Sequence, residues 1–318
     1  MNCLVTGGAG FIGSHLVELL LDRDNFVTVL DDFSTGSMDN LKHLVDNENL
    51  LIEKGSVLDK AALWWLTKNC DEIYHLAAVV GVMEYLKHPL KTMKTNIEGT
   101  ENVLEVARER NAKVLIMSSS EVYGYGGRGL RETDPGTIGS PVKSFRWGYG
   151  LSKSVDEFLA LGYRNEYDMS LVVVRPFNVV GPRQTGFYGM VVPRFIEQAR
   201  TGNPITVFGT GEQTRSFIYV KTFVQVLYEL MYTAEAQGRV INVAGPEEIS
   251  IWKLAETVKE VTGSDSEIVL VPYEEAYGTD MFEDALKRSA DLTVLESILG
   301  WRPDGTVKEI IQRIVEEK

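Results

Sequence analysis

Two cysteines, Cys3 and Cys70, are all that a chain of 318 residues contains. So few thiols exclude a disulfide-stapled scaffold and point to reduced side chains in or near strands. Histidine is nearly as scarce. His15, His43, His75 and His88 show no metal-ligand spacing with each other or with the cysteines, so no metal is expected. Long apolar runs are missing as well. No stretch approaches the roughly 18–20 residues that a membrane helix needs. The N-terminus lacks a basic stretch followed by an apolar run and a small-residue cleavage site, so the expectation is a cytoplasmic protein with no membrane partner. Positive charge is in deficit: 32 Lys and Arg against 45 Asp and Glu leave a net charge of −13. Nucleic acid is bound by neutralising phosphates, so no nucleic-acid partner is expected. A small anionic ligand is still allowed, because one pocket needs only a few arginines and backbone N–H groups.

What is there is long enough for two domains or one large α/β unit. Short β-rich runs alternate with helical patterns through the first half. Strands are expected over 2–6, 26–30, 50–53, 72–76, 113–118 and 170–175, with helices over 12–21, 61–67, 97–110 and 152–166. The cores VTVL, VLIM and LVVV are apolar on both faces, as in buried parallel strands. Such alternation predicts an α/β fold with a doubly wound parallel sheet. After about Pro176 the pattern loosens into a loop over 181–189, further helices and a few short strands, with no linker or repeat. The expected division is a first domain over 1–178, to which part of 219–245 returns, and a smaller C-terminal α/β substrate-binding cap over 179–318.

The opening LVTGGAGFIGSHL places Gly7, Gly10 and Gly13 three apart, between an apolar strand and a helix. Glycines there permit a tight turn, close approach to a pyrophosphate and tight helix–strand packing, the Rossmann-type arrangement. The helix N-terminus adds N–H donors and a positive dipole end. The second strand ends at Asp31–Asp32, about 18 residues after Gly13. An acid at that point suits the ribose hydroxyls and repels a 2′-phosphate, so NAD is favoured over NADP.

In WGYGLSKSVDEFL, Tyr149 and Lys153 are four residues apart on a helix and share a face. A tyrosine of pKa about 10 is a poor base at neutral pH, but a nearby ammonium stabilises its phenolate. Bringing it to about 7 requires roughly 4 kcal/mol. Upstream, VLIMSSSEVYG sets serines at the end of a parallel strand, where ligands bind in such sheets.

TGGAGFIG, HLAA, SSSEVYG, YxxxK, RPFNVVGPR and GTGEQTRSFIYV follow in this order and span nearly the whole chain. As a set they resemble the extended short-chain dehydrogenase/reductases, specifically the NAD-dependent nucleotide-sugar epimerase/dehydratase family. The resemblance implies Ser119, Tyr149 and Lys153 as a catalytic triad. It implies Gly7, Gly10, Phe11, Ile12, Gly13, Asp31 and Ala77, with Tyr149 and Lys153, as contacts of NAD. It assigns Asn178, Arg183, Arg215 and Arg288 to a nucleotide-sugar, with a uridine diphosphate clamped by arginine forks. Asn96 matches an Asn near the site with a structural role, and Ser56 stands where the family more often has Asp. Asp291 is expected to cap the following helix, and Tyr123 and Tyr125 to be core aromatics. A homodimer is also implied, because relatives pair through the two helices that here run over 96–110 and 147–166.

Family chemistry begins with oxidation at carbon 4 of the sugar and then divides. Ser120–Glu121 after Ser119 resembles the UDP-glucuronate decarboxylases and also GDP-mannose dehydratases, and Glu121 becomes a fourth catalytic candidate. YGLSK resembles the 4-epimerases. Decarboxylation of UDP-glucuronate and UDP-hexose 4-epimerisation therefore stand side by side, with a slight lean to the first. A 4,6-dehydratase follows, and a non-catalytic NAD-binding sensor or scaffold is the reading from another class.

Overall fold

The structure, a computed structural model, describes residues 1–186, 190–278 and 283–317. The part of the expected 181–189 loop over 187–189 lies outside the described residues. The first half builds β1 (Asn2–Thr6), α1 (Phe11–Asp22), β2 (Phe26–Asp31), β3 (Leu50–Lys54), α2 (Lys60–Leu66), β4 (Glu72–His75), α3 (Val82–Lys87), α4 (Pro89–Arg110), β5 (Lys113–Met117) and α5 (Trp147–Tyr167). A seven-stranded sheet runs in the order Val240–Val243, Leu171–Pro176, β5, β4, β1, β2, β3. Every neighbouring pair in it is parallel. The order reverses between β1 and β4, and in doubly wound sheets a crevice opens at that point outside the carboxyl ends of the strands.

The apolar runs explain the layers. Leu4 and Val5 are both fully buried, yet they belong to different apolar clusters. Successive side chains of a strand point to opposite faces. One cluster holds Val5, Leu16, Leu20, Val224 and Leu227, under α1 and the helix Val220–Tyr232. The other holds Leu4, Val103, Ala107, Val114 and Ala160, under α4 and α5. Each such Val or Leu contributes about 1.5–3 kcal/mol by leaving water.

Two helices start earlier than the sequence reading placed them. α4 begins at Pro89 rather than residue 97, with proline in its first turn, where the missing N–H costs nothing. Its first two turns, PLKTMKTN, are too polar to show an apolar stripe. α5 begins at Trp147 rather than 152, which puts Tyr149 in its first turn. The second half carries a four-stranded sheet in the order Glu248–Ser250, Thr214–Ser216, Lys287–Ala290, Gly126–Leu130. The chain thus crosses between units twice: Val240–Val243 lies in the large sheet and Gly126–Leu130 in the small one. The second crossing departs from a boundary at 178, and GGRGL has no apolar alternation to announce a strand. Among the described residues no helix is long and apolar enough to cross a membrane.

One buried ion pair ties α5 to the sheet. Arg175 Nε and Nη2 donate to the two carboxylate oxygens of Glu157 at 2.8 and 2.7 Å. Arg175 Nη1 also reaches Tyr123 Oη at 2.8 Å and the Glu132 carbonyl at 3.1 Å. Removing one partner leaves a buried charge without compensation. Arg175→Met should therefore lower the unfolding free energy by about 3–5 kcal/mol in urea titrations at neutral pH. A loss below about 1 kcal/mol would show that Glu157 is served by its other neighbours.

Candidate active site

The glycine turn between β1 and α1 leaves no room for side chains. Gly7 has φ +72°, and a Cβ there would come within 2.9 Å of the Ala77 nitrogen. A Cβ on Gly13 would lie 2.1 Å from the Gly7 carbonyl. Gly10 caps α1 without a side-chain hydrogen bond, so the first-turn N–H groups are not taken by a cap. Gly10, Phe11, Ile12 and Gly13 all line a cavity of about 460 Å³. Asp31 stands across it at the end of β2. Its carboxylate accepts from Ala9 N at 2.9 Å and Phe33 N at 2.8 Å, which braces the turn. Burial pushes its carboxyl above the ordinary range, against those two backbone donors. Asp32, Ser34, Thr35 and Ser56 complete this end, and no cation is among them. A donor-lined, uncapped helix start and an acid with no neighbouring arginine fit the pyrophosphate and free ribose of NAD.

The middle of the cleft is set by a close approach. A Cβ on Gly150 would fall 2.5 Å from the Glu121 carbonyl, so this glycine lets α5 press against the turn Ser120–Tyr123. Tyr149 meets Ser119 there, and the Ser119 hydroxyl favours its phenolate. The Tyr149 ring stacks on Tyr85 of α3, with centroids 5.4 Å apart and planes 16° from parallel. Burial raises the Tyr149 phenol above its usual value, while Lys153 and the Ser119 hydroxyl pull it down. Lys153 is almost fully buried, and its ammonium donates to Asp156 Oδ2 at 2.9 Å. Burial alone would lower the lysine; Asp156 and Tyr149 more than reverse this and hold it above its usual value.

Beyond the triad lies a cluster of charges. Glu121 contacts Arg288 through Nη1 and Arg146 Nη2 at 3.4 Å. Arg146 and Arg215 both reach Asp284 Oδ1, at 3.1 and 2.8 Å. Burial would push Glu121 up, but Arg146 and Arg288 overcome it and hold the carboxyl at about 2. Among the described residues, three guanidinium groups thus face two carboxylates. The Nε of Arg288 is buried and has no hydrogen-bond partner among the described residues.

Every site residue expected from the sequence lines this cavity except Arg183. Arg183 has φ +66°, and the turn aims it back at α1, where it donates to Glu18 at 2.6 Å and Ser14 at 3.1 Å. Asn178, at φ +37°, lines the cavity and donates to the Ser216 carbonyl at 2.8 Å. Asn96 joins Val79 N to the Ser152 hydroxyl, which is a bracing role. Asp291 accepts from Thr293 N at the start of the helix Thr293–Leu299. Tyr123 is buried, but Tyr125 is not the core residue expected: it is 43% exposed, its ring lying on Trp147. The sequence reading missed Tyr85, Arg146, Asp156 and Asp284. Tyr85 and Arg146 belong to no spacing that distinguishes them, and Asp284 meets the site only through the fold of the cap.

Three comparisons place this geometry. The model of the NAD dependent epimerase/dehydratase family matches residues 3–244. UDP-N-acetyl-alpha-D-glucosaminuronate decarboxylase of Bacillus cytotoxicus is 38% identical over 316 residues, 98% of this chain and 97% of that one. UDP-glucuronic acid decarboxylase 6 of Arabidopsis thaliana is 37% identical, over 97% of this chain and 86% of the relative. The solved UDP-glucuronic acid 4-epimerase of Bacillus cereus, in complex with UDP-glucuronic acid and NAD, superposes with a TM-score of 0.89 at 27% identity, covering 99% and 98% of the two chains. The chain belongs to the NAD-dependent epimerase/dehydratase family and is an enzyme whose cofactor is NAD.

Proposed function

We propose that the enzyme decarboxylates a UDP-linked uronic acid by way of a 4-keto sugar. The observation that carries this reading is Glu121, held ionised between Arg146 and Arg288 in the turn that begins after Ser119. The Nε of Arg288, buried and without a partner among the described residues, is left unsatisfied by a neutral sugar that does not reach it and is served by a sugar carboxylate. The decarboxylase relatives, which act on uronic acids by name, agree with it. Their contact with Glu121 puts the Arg288 and Arg146 guanidinium groups at the sugar end. Arg288 therefore takes the uronate carboxylate in this proposal, rather than the diphosphate, which is left to Arg215 and Asn178.

The residues divide the work as follows. When bound, NAD supplies the acceptor and donor of a hydride at sugar carbon 4, together with a positive ring. Tyr149 holds its proton at neutral pH in the protein alone, because burial outweighs Lys153 and Ser119. Additional positive charge beside it makes its phenolate the base for the carbon 4 hydroxyl. Ser119 orients that hydroxyl, and Lys153 supports the phenolate. With a ketone at carbon 4, the carboxylate at carbon 6 is β to it. The carbon 5–carbon 6 bond then breaks, carbon dioxide leaves, and the electron pair passes into an enolate that takes a proton at carbon 5. Glu121 and Arg288 are placed to orient the departing group and manage that proton.

The likeness to the Bacillus cereus enzyme supports a second reading, 4-epimerisation, also of a uronate. Mass spectrometry after incubation with UDP-glucuronate separates the outcomes: loss of carbon dioxide is expected, whereas an unchanged mass with an inverted carbon 4 would select the epimerase. Glu121→Gln adds a kinetic check. Turnover should fall about 100-fold or more with reduced nicotinamide accumulating, because the stalled step follows oxidation. Near-normal turnover without that accumulation would remove Glu121 from the chemistry.

A homodimer is part of the proposal. Leu151, Val155 and Phe158 lie one and two turns apart on α5, and Phe158 is 81% exposed. Leu90 of α4 is 77% exposed. α4 and α5 pack on each other, so two copies would form a four-helix bundle. Light scattering at micromolar concentration should give twice the chain mass, and Phe158→Asp should give a monomer of unchanged fold. A wild-type monomer would contradict the pairing.

A further inference from the structure

Lys153 does not stand alone beside Tyr149. Its ammonium is 2.9 Å from Asp156 Oδ2, one turn along α5, and both side chains are within 2% of complete burial. The Thr100 side chain of α4 favours the ionised form of the same carboxylate, whose Oδ1 is buried and makes no hydrogen bond among the described residues. From Thr100 a row of contacts continues inward. Thr100 Oγ1 is 3.1 Å from His75 Nε2, and His75 Nδ1 is 2.8 Å from Thr6 Oγ1. Thr6 Oγ1 accepts from Ala77 N at 3.2 Å, and Ala77 lines the cofactor end of the cleft.

His75 is the titratable member of this row. Burial, and then the charge of Lys153, push His75 down to about 3, so the ring is neutral. Thr6 takes the Ala77 N–H and gives its own proton to Nδ1. The ring then carries its proton on Nε2 and gives it to Thr100. A neutral imidazole can donate from only one nitrogen, so one of Thr6 and Thr100 gives the ring a proton and the other receives one.

We propose that Asp156 is a positioning residue of the proton-transfer site: its carboxylate, buried against the Lys153 ammonium, fixes where that ammonium lies and keeps it charged. This rests on the reading of Tyr149 and Lys153 as the proton-transfer pair. The groups facing the ammonium are Tyr149, Asp156 and Glu157 on α5 and His75 on β4, while Glu121 on the turn after β5 faces Tyr149. Glu157 is taken up by Arg175 and Glu121 by Arg146 and Arg288, and His75 is neutral. That leaves Asp156 as the carboxylate committed to the lysine. Its charge acts in two directions at once. It favours the ammonium on Lys153 and disfavours the phenolate on Tyr149.

Removing the charge therefore shifts both groups the same way. Without Asp156⁻ the ammonium is lost at lower pH, and the phenolate forms at lower pH. The active form requires phenolate and ammonium together, so the acidic and alkaline limbs of the pH–rate profile should both move to lower pH in Asp156→Asn. A shift of about one unit or more is the size expected for a charge at this distance. A merely structural role would lower the rate at every pH and leave the limbs in place.

The test uses NAD-loaded protein with lysine labelled by carbon-13 at Cε, the Lys153 signal being identified by its loss in Lys153→Arg. In Asp156→Asn its titration midpoint should fall by about one unit or more, and Asp156→Glu should restore it in large part. Thr100→Val keeps the carboxylate but removes its support, so the midpoint should fall by less. This second variant decides the matter if Asp156→Asn does not fold. Midpoints and limbs at their wild-type positions in the folded variants would overturn the proposal. Tyr149→Phe is the separate control: if it still turns over, the proton-transfer reading fails, while the lysine midpoint continues to judge Asp156.

Discussion

A buried charge persists only beside an opposite one, and in this protein that constraint organises everything from the sheet to the cleft. Glu157 and Arg175 neutralise each other where α5 meets the strand Leu171–Pro176. One residue earlier on the same helix, Asp156 neutralises Lys153. In the cap, Asp284 joins Arg215 to Arg146, and Arg146 and Arg288 enclose Glu121. Each carboxylate fixes a cation whose position would otherwise be set by solvent. The first pair is closed and serves stability. The last cluster borders the cleft and keeps a buried Arg288 nitrogen without a partner among the described residues, a donor suited to a cleft that receives an anion.

Close backbone approach supplies the second constraint. Gly7 and Gly13 bring β1, α1 and the Ala77 loop together around the cofactor end. Gly150 does the same for α5 and the Ser120–Tyr123 turn, and so delivers Tyr149 to Ser119. Charges and contacts depend on each other here. The Lys153–Asp156 pair acts on Tyr149 only because the helix start lies against the turn.

Much of this is written locally in the chain. The parallel sheet is legible because its strands are apolar on both faces, and the glycine turn because three glycines fall between a strand and a helix. Tyr149 and Lys153 share a helix face at a spacing that sequence alone displays. The cap is less legible. Arg183 follows the same RPFNVVGP run as Asn178, yet a positive φ turns it toward Glu18 and away from the cleft. Arg146 and Asp284 are 138 residues apart, and only folding makes them a pair. Tyr85 gains its role from stacking on Tyr149, a contact that no periodicity encodes. Asp156, three residues after Lys153, was legible as a helix neighbour, but its meaning depends on burial that spacing does not show.

The central claim is that Arg288 in the cleft selects a sugar carrying a carboxylate. Calorimetry on NAD-loaded Tyr149→Phe protein, which should bind without turning over, measures this directly. UDP-glucuronate should bind at least about tenfold more tightly than UDP-glucose, a difference of roughly 1.4 kcal/mol. The preference should disappear when Arg288 is replaced by methionine. Equal affinity of the unaltered cleft for the two sugars would contradict the account.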